Sequence, residues 1–312
     1  MTFPLTSVIL VNWNSRALTE AAITSLRAHE TSVPLEFIIV DNASTDGSAD
    51  HLATAFPDAR VIRSPANEGF ARGNNRGVEI AQGEYVLLLN TDTVAREEVL
   101  PACLRALEAH GDAIVGCRLL NLDGSLQLSA EAFPTLTSLA RETFGTVAAA
   151  HARKLGALPA PGSGPLEVDW LCGAFLLMKR DVYRALGGLS REIFMYGEDV
   201  EFCWRAKQRG IRRLYIPDVA IVHLGGGATD HASLRGLLLS DAGRLRSFAL
   251  MHGHVHALVF RLMLMTRSLV RGVGWTAAGL LTRGGTRARA LRKAGHHWIA
   301  LAALAGARSR AA

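Results

Sequence analysis

Apolar residues gather early in the chain into three unbroken runs, SVILVNW (Ser7–Trp13), LEFIIVD (Leu35–Asp41) and EYVLLLN (Glu84–Asn90). Continuous runs of this kind suit strands buried on both faces of a parallel sheet. Between the first two, SRALTEAAITSLRAH sets Leu18, Ala22 and Leu26 along one side of an amphipathic helix. Between the second and third, DGSADHLATAF and GFARGNNRGVEIAQG carry helical patterns with Ser, Gly and Asn at their starts. A further helix, EEVLPACLRALEAHG, closes at Gly111. Strand and helix alternating at this interval predict right-handed βαβ units and a parallel sheet. Beyond them, TVAAAHARKLGALPAPGSGP (146–165) is rich in Ala, Gly and Pro and reads as a flexible, lid-like connection. WLCGAFLLMKRDVYRALGG predicts a buried strand and a short helix ended by Gly187-Gly188. GEDVEFCWRAKQRG predicts a helix after Gly197, acidic in its first turn and basic in its last, as its dipole favours. RRLYIPDVAIVHLGGG predicts a short strand, His223 and a glycine triplet.

Ligands of open α/β sheets sit at the carboxyl ends of the strands. Three such ends here are polar: Asn12-Trp13-Asn14, Asp41-Asn42-Ala43-Ser44 and Asn90-Thr91-Asp92. Two readings stand for each candidate. Asp41 either opens a turn that caps the next helix or hydrogen-bonds a nucleobase or ribose. Asp92 closes an N-x-D variant of the D-x-D spacing; it is either a cap or a ligand of a hard divalent cation shared with substrate phosphates. Glu198-Asp199 either serves the helix dipole or supplies a general base near Phe194 and Tyr196. His223 is either an ordinary histidine or a metal ligand. The first strand leads into VNWNSRA without a glycine, which counts against a dinucleotide fingerprint and hence a dehydrogenase.

A chain of 312 residues, 49% hydrophobic and 20% charged, can bury a substantial core and is not disordered. Its four cysteines form no C-x-x-C pair, so a zinc ribbon or disulfide framework lacks support and reduced thiols are expected. The N-terminus has no basic n-region or apolar segment of signal-peptide length. Charge divides sharply along the chain. Residues 1–230 hold 21 Lys/Arg against 27 Asp/Glu, whereas residues 231–312 hold 13 against a single acid, Asp241. The apolar stretch His256–Leu281 is cut by Arg261, Arg267 and Arg271, and charges near the centre of a spanning helix are costly. Helices lying in a membrane interface, arginines toward anionic head groups, are the favoured reading; a packed helical subdomain is the other. Few aromatics and no recognised binding module argue against nucleic acid as a partner.

Taken in order, VILVNWN, IIVDNASTDGS, NEGFARGNNRG, YVLLLNTDT, WLCGAFLLMKRDVY, GGLSREIFMYGEDVEFCWRAKQRG and IPDVAIVHLGG resemble the inverting glycosyltransferases of family 2, in particular the rhamnosyltransferase-like branch. The resemblance implies an α/β fold of GT-A type with a mostly parallel central sheet. The resemblance covers residues 7 to about 227 and implies a catalytic domain at 1–227, the donor half over about 1–115 and the acceptor half over about 116–227, followed by a basic helical region at 228–312. It implies that Asn12, Asp41, Asn67 and Asn75 contact the nucleotide-sugar donor. Asp92 and His223 would hold Mn²⁺ or Mg²⁺, Asp199 would be the catalytic base with Glu198 beside it, and Asp169 and Trp170 would lie on the acceptor side. Two departures matter. Asn90 replaces the first acid of D-x-D, which removes one charge from the metal site. The Q-x-x-R-W motif of processive synthases is absent, since the helix ends KQRG, so one sugar or a few would be added.

The expected activity is transfer of one sugar, a deoxysugar such as rhamnose from a dTDP donor, to a glycan or polyprenyl-linked acceptor in surface polysaccharide assembly. The expected place is cytoplasmic, peripheral on the inner face of the cell membrane and against its anionic surface. A nucleotidyltransferase is the competing class, although VILVNWNSRAL lacks its Gly-rich basic signature. A non-catalytic nucleotide-sugar-binding protein is the third.

Overall fold

A computed structural model describes residues 3–144, 155, 158–225 and 233–306. Its strands are β1 (Thr6–Asn12), β2 (Leu35–Asp41), β3 (Arg60–Arg63), β4 (Tyr85–Leu89), β5 (Thr93–Val94), β6 (Ala113–Leu120), β7 (Ala130–Glu131), β8 (Leu166–Glu167), β9 (Trp170–Leu171), β10 (Phe175–Lys179) and β11 (Arg212–His223). The helices are α1 (Arg16–His29), α2 (Ser48–Ala55), α3 (Gly69–Ile80), α4 (Leu100–His110), α5 (Leu136–Phe144), α6 (Arg180–Ala185), α7 (Glu198–Gln208), α8 (Leu234–His252), α9 (His254–Leu281) and α10 (Gly284–Gly306).

Among the described residues a mixed sheet runs in the order β3-β2-β1-β4-β10-β6-β11-β5, with β8 on the side of β11, and β7 and β9 form a separate pair. The first four strands are parallel, and β10 is antiparallel to both its neighbours, β4 and β6. The three apolar runs of the sequence are β1, β2 and β4, and their side chains are almost wholly buried. Val8, Leu10, Ile39, Leu87 and Leu89 join Ile23 and Leu26 of α1 and Leu104 and Leu107 of α4 in one core. Burying a side chain of this size is worth about 1.5–3 kcal/mol, so the sheet is anchored where these runs lie.

Among the described residues five strands are not foreseen in the sequence pattern: the two-residue β5, β7 and β8, and the longer β3 and β6. β3 is a four-residue edge strand with half-exposed and exposed side chains, too short and too polar to stand out. β6 is apolar enough but follows directly on the Gly111 helix stop. β11 is longer than the short strand expected. It follows β6 in parallel register, with an irregularity between Ile216 and Ala220, where Pro217 has no N–H to give the ladder. The cap of α4 comes from afar: the Glu30 carboxylate accepts the Val99 and Leu100 N–H groups at 2.7–3.2 Å.

The chain divides into two compact units, Met1–Phe133 with His151–Ala228, and Pro134–Ala150 with Thr229–Ala312. Thus α5, within the expected acceptor half, groups with the C-terminal helices. The expected loop falls partly outside the described residues, at 146–154, 156 and 157, as do Gly226 and Gly227 of the glycine triplet. The second unit has its own small core of Leu139, Phe248, Phe260, Leu264 and Leu304. In it Asp241, buried, pairs with the equally enclosed Arg267. No helix among the described residues is long and apolar enough to cross a membrane.

Candidate active site

At the ends of β1 and β2, Asn12 and Asp41 are register partners. The fully buried Asn12 amide donates to Asp41 Oδ1 at 2.8 Å and Ser44 Oγ at 3.0 Å. Its carbonyl oxygen accepts from Ser15 and Thr19. Asp41 Oδ2 accepts the Ser44 N–H at 3.0 Å. Asn12 is therefore filled by protein partners and orients Asp41, whose carboxylate retains acceptor capacity beyond these two bonds. Both readings of Asp41 meet here, since it shapes the Asn42–Ser44 turn and stands at a strand mouth. Sequence reasoning passed over Asn42, whose buried Oδ1 has no partner while its Nδ2 donates to the Gly69 carbonyl at 3.0 Å.

β4 ends at the turn that carries Asn90 and Asp92. β11 brings His223 to it from the far side of the sheet, pairing with Thr93 across β5. His223 Nε2 lies 3.2 Å from Asp92 Oδ1 and 3.3 Å from Asn90 Nδ2. The Leu224 N–H donates to the Asp92 carbonyl at 2.8 Å, closing the loop around the pair. On the other side of the ring, His223 Nδ1 lies 2.8 Å from Gln127 Oε1. No third His, Cys, Asp or Glu joins Asp92 and His223 at a common point among the described residues. One carboxylate and one imidazole turned toward each other fit a divalent ion that takes its remaining ligands from a diphosphate and water.

Glu198 and Asp199 open α7 behind Gly197, a residue at φ 93°, and Tyr196, a non-glycine residue at φ 70°. Backbone of this kind is costly and collects at functional sites. Asp199 Oδ2 accepts the Gly173 N–H at 2.9 Å and Oδ1 accepts the Val200 N–H at 2.8 Å. Glu198 is buried with Oε2 unpartnered. Burial, then the charge of Asp199, push its carboxyl up to about 8; burial also raises Asp199. Cys172 stands next to Gly173, whose N–H is bonded to Asp199. Its thiol is pushed up to about 12 by burial and by the carboxylates of Asp199, Glu198 and Asp92. The Asn90 N–H donates to the Ala174 carbonyl at 3.1 Å, so one short loop, Cys172–Ala174, touches both Asp199 and the Asp92 turn.

The remaining expected residues are turned to the protein itself. Asn67 Oδ1 accepts the Gly69 N–H at 3.0 Å at the start of α3. Asn75 Nδ2 donates to the Leu189 carbonyl, and its Oδ1 accepts from Tyr183 and the Leu189 N–H. Asn75 thereby pins the loop that leads into Glu198-Asp199. The Phe70 N–H helps, donating to the Phe194 carbonyl at 2.9 Å. Asp169 accepts from the Phe133 N–H and the Lys207 ammonium; although burial pushes it up, these partners hold it below the usual carboxylate range. The Trp170 indole donates to the Ala132 carbonyl at 3.2 Å. Both lie beside α7, spoken for by protein partners.

Residues 7–148 match the family model described as Glycosyl transferase family 2. A low-salt glycan biosynthesis hexosyltransferase of Haloferax volcanii is 29% identical over 209 residues, 66% of this chain and 62% of its own length. An N-acetylglucosaminyl-diphospho-decaprenol L-rhamnosyltransferase of Mycobacterium tuberculosis is 29% identical over 210 residues, 62% of this chain and 67% of its own. The chain thus spans about two thirds of the length of these curated relatives. Among solved structures, a mannosyltransferase from Pyrobaculum calidifontis in complex with GDP-Man and Mn²⁺ matches with a TM-score of 0.54 at 18% identity, over 98% of this chain and 88% of that one. The shared fold is that of the GT-A glycosyltransferases.

Proposed function

We propose that this chain, a member of glycosyl transferase family 2 through its domain at residues 7–148, moves one sugar from a nucleoside diphosphate donor to a hydroxyl of a glycan or polyprenyl-linked acceptor, inverting the anomeric centre. The observation that carries the reading is the Cys172–Ala174 loop, which gives its Gly173 N–H to Asp199 and accepts the Asn90 N–H on its Ala174 carbonyl, and so joins Asp199 to the turn where His223 faces Asp92. Asp41, held by Asn12, binds the base and ribose. Asp92 and His223 hold a divalent ion, and the imidazole nitrogen favours Mn²⁺ over Mg²⁺. That ion supplies positive charge to the departing diphosphate. Asp199 accepts the proton of the acceptor hydroxyl as its oxygen attacks the anomeric carbon and the bond to the diphosphate oxygen breaks. Two backbone N–H groups fix the direction of this base, and Glu198 keeps a proton beside it, so only one negative charge is held there.

A rhamnosyltransferase among the relatives supports a deoxysugar donor such as dTDP-rhamnose, and its decaprenol-linked acceptor supports surface polysaccharide assembly. The basic second unit is read as the part that meets an anionic membrane surface, on the inner face of the cell membrane. Release of nucleoside diphosphate from dTDP-rhamnose, UDP-sugars and GDP-mannose tests the transfer. Asp199→Asn is expected to lose about 10²–10⁴ in turnover while calorimetry shows nucleotide binding unchanged. Full turnover in that variant removes Asp199 as the base; no turnover of any nucleotide sugar by the wild type leaves a binding protein.

A further inference from the structure

The long helix α9 wears its polarity inside out. Val255, Leu258, Leu262, Leu269, Val273 and Leu280 recur at helical spacing on one face, and all are exposed. Its arginines turn the other way: Arg267 pairs with Asp241, Arg261 donates to the Leu304 carbonyl, and Arg271 is half-buried near Asp241. A helix of 28 residues is about 42 Å long, so this stripe is an extended, charge-free surface. Trp298 of α10 packs on Gly272 and donates to Thr276 Oγ1 at 3.2 Å, carrying the apolar surface sideways to the exposed Ile299. Around the turn between the helices stand the exposed Arg283, Arg287, Arg289, Arg292 and Lys293.

We infer that this face of α9 is the seat of the protein on an anionic lipid surface, lying flat at the interface with the basic turn against the head groups. The inference rests on the membrane reading above and not on the transfer reaction. Charge selects lipid over a second copy. Residues 233–306 hold 11 Lys/Arg against one acid, so self-association would bring two strongly basic bodies together. Co-sedimentation of the full chain with phosphatidylglycerol-containing vesicles, and with phosphatidylcholine alone, tests it. The expected result is binding to the anionic vesicles that falls at least about tenfold in Leu262→Gln/Val273→Gln, from the apolar area withdrawn. Leu122→Gln, at an equally open leucine of the other unit, leaves it unchanged. Unchanged binding in the double variant overturns the face while leaving the membrane reading. No binding to either vesicle overturns both. A dimer that the double variant dissolves assigns the face to a second copy instead.

A second inference stands on different atoms. Gln127 Nε2 donates to the His223 backbone carbonyl at 2.5 Å, an acceptor that cannot be reversed. The amide is thereby oriented, so its Oε1, 2.8 Å from His223 Nδ1, faces a nitrogen that must carry hydrogen. In the neutral ring, Nε2 is then left as a lone pair toward Asp92 Oδ1. We propose that Gln127 is a positioning residue that fixes this tautomer and so prepares His223 as a ligand. Long-range ¹H–¹⁵N spectra of histidine-labelled protein, with His223 assigned by its loss in His223→Ala, read the tautomer without metal or substrate. The wild type is expected as Nδ1–H. Gln127→Met is expected to mix tautomers and weaken nucleotide-supported Mn²⁺ binding about 10–100-fold; Gln127→Glu, which keeps an acceptor, restores the tautomer. An Nε2–H wild type, or a Met variant with undiminished Mn²⁺ affinity, overturns the proposal. A wild type with the expected tautomer that binds no Mn²⁺ keeps the lock and removes the metal.

Discussion

Glu198 is held at about 8 by burial and by the charge of Asp199, against an ordinary value of 4.5. Between those pH values the folded chain keeps a proton that the unfolded chain releases, so this group's contribution to stability falls as pH rises through the window. Glu198→Gln cannot ionise and therefore escapes the loss. It is expected to exceed the wild type at pH 8 by roughly 2–4 kcal/mol, the gap closing toward pH 5. Urea melts at the two pH values read it, and parallel pH dependence in both proteins would mean that Glu198 ionises normally. Burial raises Asp199 as well, while its two N–H partners pull the other way.

Elements place these residues by means that the sequence discloses unevenly. The apolar runs of β1, β2 and β4 were legible because strands buried on both faces must be apolar throughout. Their polar terminal residues marked the strand mouths correctly, which is how Asp41 and Asp92 came into view. Gln127 was not legible, because it lies in the loop after β6 and reaches His223 only through pairing of strands remote in sequence. Asn75 was legible as part of a motif but its bonds to Tyr183 and Leu189 were not, since side-chain direction depends on what packs against α3. Gly188 shows what that packing requires. It sits at φ 72°, and an added Cβ would stand 2.4 Å from Asn75 Oδ1. Gly188→Ala is expected to loosen the loop ahead of Glu198-Asp199 and cost on the order of 10²-fold in turnover, with calorimetry showing nucleotide affinity retained. Wild-type kinetics in this variant would show that the Asn75 pin does not set the position of Asp199.

At the scale of the molecule, acidic and basic character are parted between two units. In the second unit Asp241 is the one buried partner for Arg267 among the described residues, with Arg244 and Arg271 also near it. Asp241→Asn would leave the guanidinium enclosed without its counter-charge, at a cost of about 3–5 kcal/mol; denaturant unfolding followed by circular dichroism measures it, and a loss below 1 kcal/mol would mean water reaches Arg267. The thiols divide just as unevenly, all four lying in the first unit. Burial raises every one of them, Cys172 and Cys203 to about 12 and the other two well above the ordinary thiol value. Thiolate is the reactive form, so alkylating reagents should find almost none while that unit stays closed. Labelling then becomes a clock: its rate under native conditions times the opening of the sheet, blind to the helical unit, and a bound nucleotide should slow the hand at Cys172 first.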